Sequence, residues 1–129
     1  MLIPARGGYP VERVQFIHHK GKVILHLDFS DCKADEVLAV IAQAKSVIAT
    51  QRPGSVLTLT DVTSAGFNST VSEAMKQFVQ HNKPYVAAAA VVGVTGLKQI
   101  ILNAVMKFSG RHFHAFNSLD QAKDWLARQ

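Results

Sequence analysis

The sequence predicts an α/β domain: a mostly parallel sheet that opens with an antiparallel hairpin and is covered by about four helices. Three observations carry that expectation. Short runs rich in β-branched and aromatic residues alternate with longer segments whose apolar residues recur every three to four positions. Glycine and proline punctuate the joints, as at Arg52-Pro53-Gly54, Asn82-Lys83-Pro84 and Gly110. The alanine and valine run from Tyr85 to Val94 suits a central strand buried on both faces, which parallel sheets require.

Taken in order, residues 1–10 (MLIPARGGYP) form an N-terminal arm broken by Pro4 and Gly7-Gly8, and residues 11–129 form one domain. Arg13 to His19 reads as a strand, Lys20-Gly21-Lys22 as a tight turn, and Val23 to Phe29 as the returning strand. In the latter, Val23, Leu25, Leu27 and Phe29 alternate with Ile24, His26 and Asp28, so one face is wholly apolar and the other mixed. Ser30 or Asp31 is the expected cap of a first helix, whose buried stripe is Val37, Leu38, Val40, Ile41, Ala44, Val47 and Ile48. Ser55 to Thr63 is the third strand, and Ser69 to His81 a second helix with Met75, Phe78 and Val79 inward. After the alanine-rich strand, Thr95-Gly96 opens a third helix with a stripe of Leu97, Ile100, Ile101, Ala104, Val105 and Phe108. Gly110 ends it as a left-handed cap. His112 to Phe116 is a last strand, and Ser118 caps a terminal helix with Trp125 and Leu126 inward.

Composition narrows the function classes. At 129 residues with 48% hydrophobic content, the chain has enough apolar surface for a core and is not a disordered segment. The single cysteine, Cys32, has no partner for an internal disulfide, which suits a reducing compartment. The run from Val86 to Val94 is about half of what a membrane span needs, so a cytoplasmic, soluble protein is expected. Fourteen Lys and Arg against nine Asp and Glu give a net charge of +5, and no acidic residue falls between Glu73 and Asp120. Lys76, Lys83, Lys98, Lys107 and Arg111 lie in that stretch; on one face they would attract anions, and otherwise they make an ordinary solvated basic surface. Aromatic residues are only 8% and do not interleave with the basic ones, which disfavours nucleic acid as a partner.

Two strand-to-helix junctions are the candidate site. The first contains Phe67, Asn68, Ser69 and Thr70, where a hydroxyl or a bound anion would meet the positive end of a helix dipole, or the same residues simply cap the helix. The second contains Gly93, Thr95, Gly96 and Lys98; its glycines allow a close ligand approach or tight strand–helix packing, and Lys98 adds charge. Both face the carboxyl edge of the sheet and could line one cleft. Leu102 and Met106 lie off the centre of the third helix's stripe. With Lys107 and Arg111 they are a candidate surface for a membrane or a protein partner. The histidines have no third ligand that sequence can supply, so neither a metal nor a cofactor is expected.

The element order, the Thr60 to Met75 segment and the run VVGVTGLKQIILNAVMKFSGRHFHAFNSLDQAKDWL resemble the STAS domain family. The nearest likeness is its divergent branch similar to sporulation anti-sigma-factor antagonists, also compared with CRAL-TRIO lipid carriers. The resemblance spans roughly residues 11–126 and implies a STAS-like single domain. In antagonist-type members an Asp-Ser-Ser-Gly or Asp-Ser-Thr-Gly segment opens the helix after the third strand, and a kinase phosphorylates its first hydroxyl residue. The matching positions here are Asn68-Ser69-Thr70-Val71, so the resemblance makes Ser69 the candidate phosphoacceptor. Asn68 stands where the acidic residue would be and Val71 where the glycine would be, which alters the charge and shape a kinase would meet.

The expected function is therefore a non-enzymatic binding or regulatory module for an anionic small molecule or a lipid headgroup, with peripheral membrane contact. The alternative is a phosphorylation-controlled switch that binds a protein partner. Either would act as a monomer or a homodimer. No base, nucleophile and oxyanion donor come together in the sequence to suggest catalysis.

Overall fold

A computed structural model describes residues 12–129; the expected arm, residues 1–10, and Val11 lie outside the described residues. The elements are β1 (Val14–His19), β2 (Lys22–Asp28), α1 (Ala34–Ile48), β3 (Val56–Asp61), α2 (Ser69–Asn82), β4 (Val86–Val92), α3 (Leu97–Ser109), β5 (His114–Phe116) and α4 (Leu119–Ala127). They form one five-stranded sheet in the order β1-β2-β3-β4-β5. β1 and β2 are antiparallel, and every other neighbouring pair is parallel. The α/β class with an opening hairpin is as the sequence predicts.

The strand order has a direct consequence for the helices. Parallel crossovers are right-handed, so three crossovers stepping the same way across a sheet place their helices on the same face. α1, α2 and α3 accordingly share one side with a core of Leu25, Leu27, Phe29, Val37, Ile48, Val71 and Phe78. α4, which follows the last strand, is free to cross to the other side, where Ala122 and Leu126 pack on Ile24, Leu57, Leu59 and Ala90. The alternation in β2 places Leu25 and Leu27 against the three helices and Ile24 against α4, while Val23 at the start of the strand stays exposed. The hairpin turns through Lys20 (φ 50°) and Gly21 (φ 82°), a pair of positive φ values that matches the twist of the flanking strands.

Three local expectations change. The strand buried on both faces is β3, all six of whose residues are buried, and not the alanine-rich β4, which is buried only from Ala89 onward. β3 holds the middle of the order, whereas β4 lies beside the short β5, which pairs only with Ala90 to Val92. Neither Ser30 nor Asp31 caps α1: the Ser30 hydroxyl donates to Asp28 Oδ1 at 2.6 Å, and Asp31 sits at φ 58°. The helix starts after Lys33, whose backbone N–H donates to Glu36 Oε1 at 2.8 Å. The last strand is three residues long and begins at His114 rather than His112.

The α4 face carries one unsatisfied side-chain group among the described residues. His26 Nε2 is buried without a hydrogen-bond partner. Burial pushes its pKa below the ordinary 6.5, against the opposing pull of Asp28 and Asp61, and Lys123 lowers it further. A group with a folded-state value below its unfolded one is held neutral by the fold. The unfolded chain then binds more protons below pH 6.5, and stability rises with pH through that window. Acidification from pH 7.5 to 5 should therefore lower the melting temperature, and His26→Leu should flatten the slope. Parallel slopes for the two proteins in calorimetry would show that His26 does not supply the acid sensitivity.

Candidate functional site

Because β3 and β4 are adjacent and parallel, the loops leaving their carboxyl ends lie side by side. The first, between β3 and α2, is built by hydrogen bonds. Asp61 Oδ1 accepts from the Thr63 backbone N–H at 2.9 Å and from the Thr63 hydroxyl at 2.6 Å, closing a turn directly after the strand. The Asp31 N–H donates to Thr63 O at 2.9 Å and the Gly66 N–H to Cys32 O at 2.8 Å, strapping this loop to the start of α1. The α2 cap is Asn68, whose Oδ1 accepts from the Val71 N–H at 2.8 Å. Asn68, Ser69 and Thr70 are all exposed, and the first turn of α2 holds no acidic side chain.

The second loop separates the two glycines by function. Gly93 (φ 89°) sits against Thr63, and a Cβ there would lie 2.7 Å from Thr63 Cα and closer still to its backbone nitrogen. Its role is the packing of one junction on the other. Gly96 combines φ 55° with ψ −127°, a conformation open essentially to glycine alone, and a Cβ there would meet nothing within 4 Å. Gly96 thus turns the chain into α3. Thr95 is exposed, and its carbonyl accepts from the Lys98 N–H at 3.1 Å.

Between α2, α3 and the sheet lies a cavity of about 50 Å³. Thr60, Val62 and Val91 supply its sheet side, Phe67 and Val94 its loop side, and Met75, Val79, Ile101, Leu102 and Val105 its helical walls, with Phe113 beyond them. Lys98 is the only charged residue in this lining. Its half-buried position lets the hydrocarbon stem follow the apolar wall. Phe67 and Lys98, one from each junction, thus meet at one cavity, whereas Asn68, Ser69, Thr70, Gly93, Thr95 and Gly96 do not line it. The wall residues on the sheet were not legible as site residues. They read as ordinary core until the strand order shows which of them face the gap between α2 and α3.

α3 lies rotated from its expected setting. Leu97 (69% exposed), Ile100 (65%) and Phe108 (50%), expected in the core, face outward together with Ala104. Leu102 and Met106, expected at the surface, turn inward: Leu102 lines the cavity, and the Phe113 N–H donates to Met106 Sδ at 3.4 Å. Arg111 also leaves the candidate surface. Its Nη1 donates to Val79 O at 3.4 Å, its guanidinium lies 4.7 Å from the Phe113 ring centroid, and burial lowers its pKa to about 10. Of the four residues expected at that surface, Lys107 alone is exposed. Lys76 joins the outward stripe, with Nζ 5.9 Å from the Phe108 ring centroid.

The physical reason lies in the helix itself. Leu97, Ile100, Ile101, Leu102, Ala104, Val105, Met106 and Phe108 cover more than half of its circumference, so burial of either side leaves apolar residues on the other. Over a sheet margin that ends in the short β5, only Val105 and Ser109 become fully buried. Among the described residues no three His, Cys, Asp or Glu side chains converge as a metal site. Cys32 is buried beside the first loop, and burial raises its thiol pKa above the ordinary range. No described helix is long and apolar enough to cross a membrane. No family model, curated protein or solved structure matches this chain.

Proposed function

We propose that this protein is a non-enzymatic binding module for a small anionic amphiphile. The tip of the ligand's apolar part would enter the cavity between α2 and α3, which at about 50 Å³ is smaller than a whole alkyl chain, and its carboxylate or phosphate would rest at Lys98. The observation that carries this reading is the pairing of an apolar lining with a single charged residue. Such a site favours a ligand with one apolar end and one anionic end over a fully polar anion. The resemblance to STAS domains, and their comparison with lipid carriers, supports the same ligand class. The outward stripe of Leu97, Ile100 and Phe108, flanked by Lys76 and Lys107, would rest on an anionic membrane surface, bringing the cavity to the source of such ligands.

Calorimetric titration with octanoate, with inorganic phosphate as the parallel arm, tests the reading. Octanoate should bind and phosphate should not. Lys98→Glu should weaken octanoate binding about tenfold or more, since a hydrogen bond to a charged group contributes roughly 1.5–3 kcal/mol. Equal binding of both anions would reduce the site to a simple anion contact, and binding of neither would overturn it. Co-sedimentation with phosphatidylserine-containing vesicles tests the membrane surface. Ile100→Glu with Phe108→Glu should abolish pelleting, and retention by that variant would exclude the stripe.

One observation favours a second reading, a protein-interaction switch at Ser69. Its hydroxyl is exposed in the first turn of α2, where the helix dipole favours an added phosphate, although Glu73 one turn on would oppose it. Under this reading Ser69→Ala and Ser69→Asp would shift partner binding in opposite directions. Identical behaviour of the two variants would remove it.

A further inference from the structure

The β5 margin of the sheet carries a cluster of four rings on its α4 side. β5 places His114 and Phe116 there, since alternate residues of a strand share a face. Both meet Trp125 of α4, with ring centroids 4.2 Å and 5.6 Å away. His112, two residues before His114, keeps to the same side. The two imidazole centroids lie 4.7 Å apart with their planes at 80°, an edge-on contact. Phe113 between them turns to the other face, lining the cavity with Arg111 over its ring, so that guanidinium is directed away from the histidines. Both histidines are exposed. Neither ring is hydrogen-bonded to protein: among the described residues only His19 and His81 have ring nitrogens so engaged. The lone pairs of His112 and His114 are therefore free. The indole under His114, itself packed on Phe116 and α4, limits the rotation that His114 must give up on binding a ligand.

We infer that His112 and His114 together chelate one divalent transition ion of the copper or nickel type, with solvent completing its coordination. Imidazole is a ligand that suits these ions. Its nitrogen binds a metal at about 2.0–2.1 Å, which puts each ring centre roughly 3.2 Å from the ion. Rings 4.7 Å apart then subtend about 95° at the metal. That is the angle between neighbouring ligands of a square-planar or tetragonal ion, and it falls short of the tetrahedral angle of a structural zinc. The expectation of no metal, drawn from the sequence, turned on the lack of a third ligand. Among the described residues no third His, Cys, Asp or Glu joins the pair, and an ion at an exposed site keeps its waters instead. The inference is independent of the ligand proposed at Lys98, which lies on the other side of the sheet.

Trp125 is the only tryptophan of the chain and packs on His114, so its fluorescence reports the ion directly. Titration of the full chain with copper(II) chloride alone should quench it saturably. Nickel should need a higher concentration, following the usual order of divalent affinities, and magnesium should have no effect. His112 has no ring contact with Trp125, which makes His112→Ala the clean variant. It should weaken copper binding about tenfold or more, whereas His18→Ala and His81→Ala should leave it unchanged. Electron paramagnetic resonance of the copper-loaded chain should show two equatorial imidazole nitrogens, and one in His112→Ala. Quenching that rises without saturation would mean collision in place of binding and would overturn the inference. So would copper affinity unchanged in His112→Ala, or a copper signal with fewer than two imidazoles.

Discussion

Gly93→Ala should destabilise the fold by about 2–5 kcal/mol, combining backbone strain with overpacking. The residue sits at φ 89°, where any side chain is strained, and its added Cβ would press on the Thr63 backbone. Thr63 cannot easily retreat. Its N–H and hydroxyl both donate to Asp61 Oδ1, and its carbonyl accepts from the Asp31 N–H at 2.9 Å. A shift there would disturb the β2–α1 and β3–α2 junctions together. Gly96→Ala is the matched control, since it carries the strain of φ 55° but meets nothing within 4 Å. It should cost only about 1–3 kcal/mol. Urea denaturation of the two variants decides the matter. An equal or smaller loss for Gly93→Ala would mean that the two junctions are not packed as tightly as their geometry requires.

Phe29→Ala is expected to cost about 3–5 kcal/mol, the range for removing a fully buried aromatic side chain. Among the described residues Phe29 is the largest fully buried side chain, and it lies in the same core as Cys32, Val37 and Ile48. Its backbone adds to its position: the Phe29 N–H donates to Asp61 O at 2.8 Å, and its carbonyl accepts from the Cys32 N–H at 3.1 Å. The ring therefore anchors the end of β2, the start of α1 and the loop that leads to the cavity. The variant should shift the denaturation midpoint with an unchanged slope, as a cavity without wider unfolding does. A loss under about 1 kcal/mol would show that neighbouring side chains collapse into the vacated space.

The candidate site was legible only in part. Asn68, Gly93, Gly96 and Lys98 could be singled out because caps, positive φ values and lone charges at helix starts leave residue-type signatures. Thr60, Val91 and Val105 could not, because a residue facing a cavity and a residue facing packed core have the same sequence pattern. The Ser69 reading rests on a local motif, and the structure adds its exposure at the start of α2.

By itself the sequence determined the element types and most of their ends. The period-2 pattern of β2, the helical spacing in α1 and α2, and the caps at Asn68, Gly110 and Ser118 are local properties of the chain, settled by residues within one or two turns of each other. Only the tertiary structure decided the strand order, and with it which strand is central and which side each helix covers. It also decided the rotation of α3, because an apolar surface that wraps most of a helix has no unique inward side until a sheet is placed beneath it. Strand pairing and helix rotation are long-range choices among nearly equivalent local patterns, so the exposed stripe, the cavity beside it and the place of β1 at the sheet margin emerge only when the whole sheet is assembled.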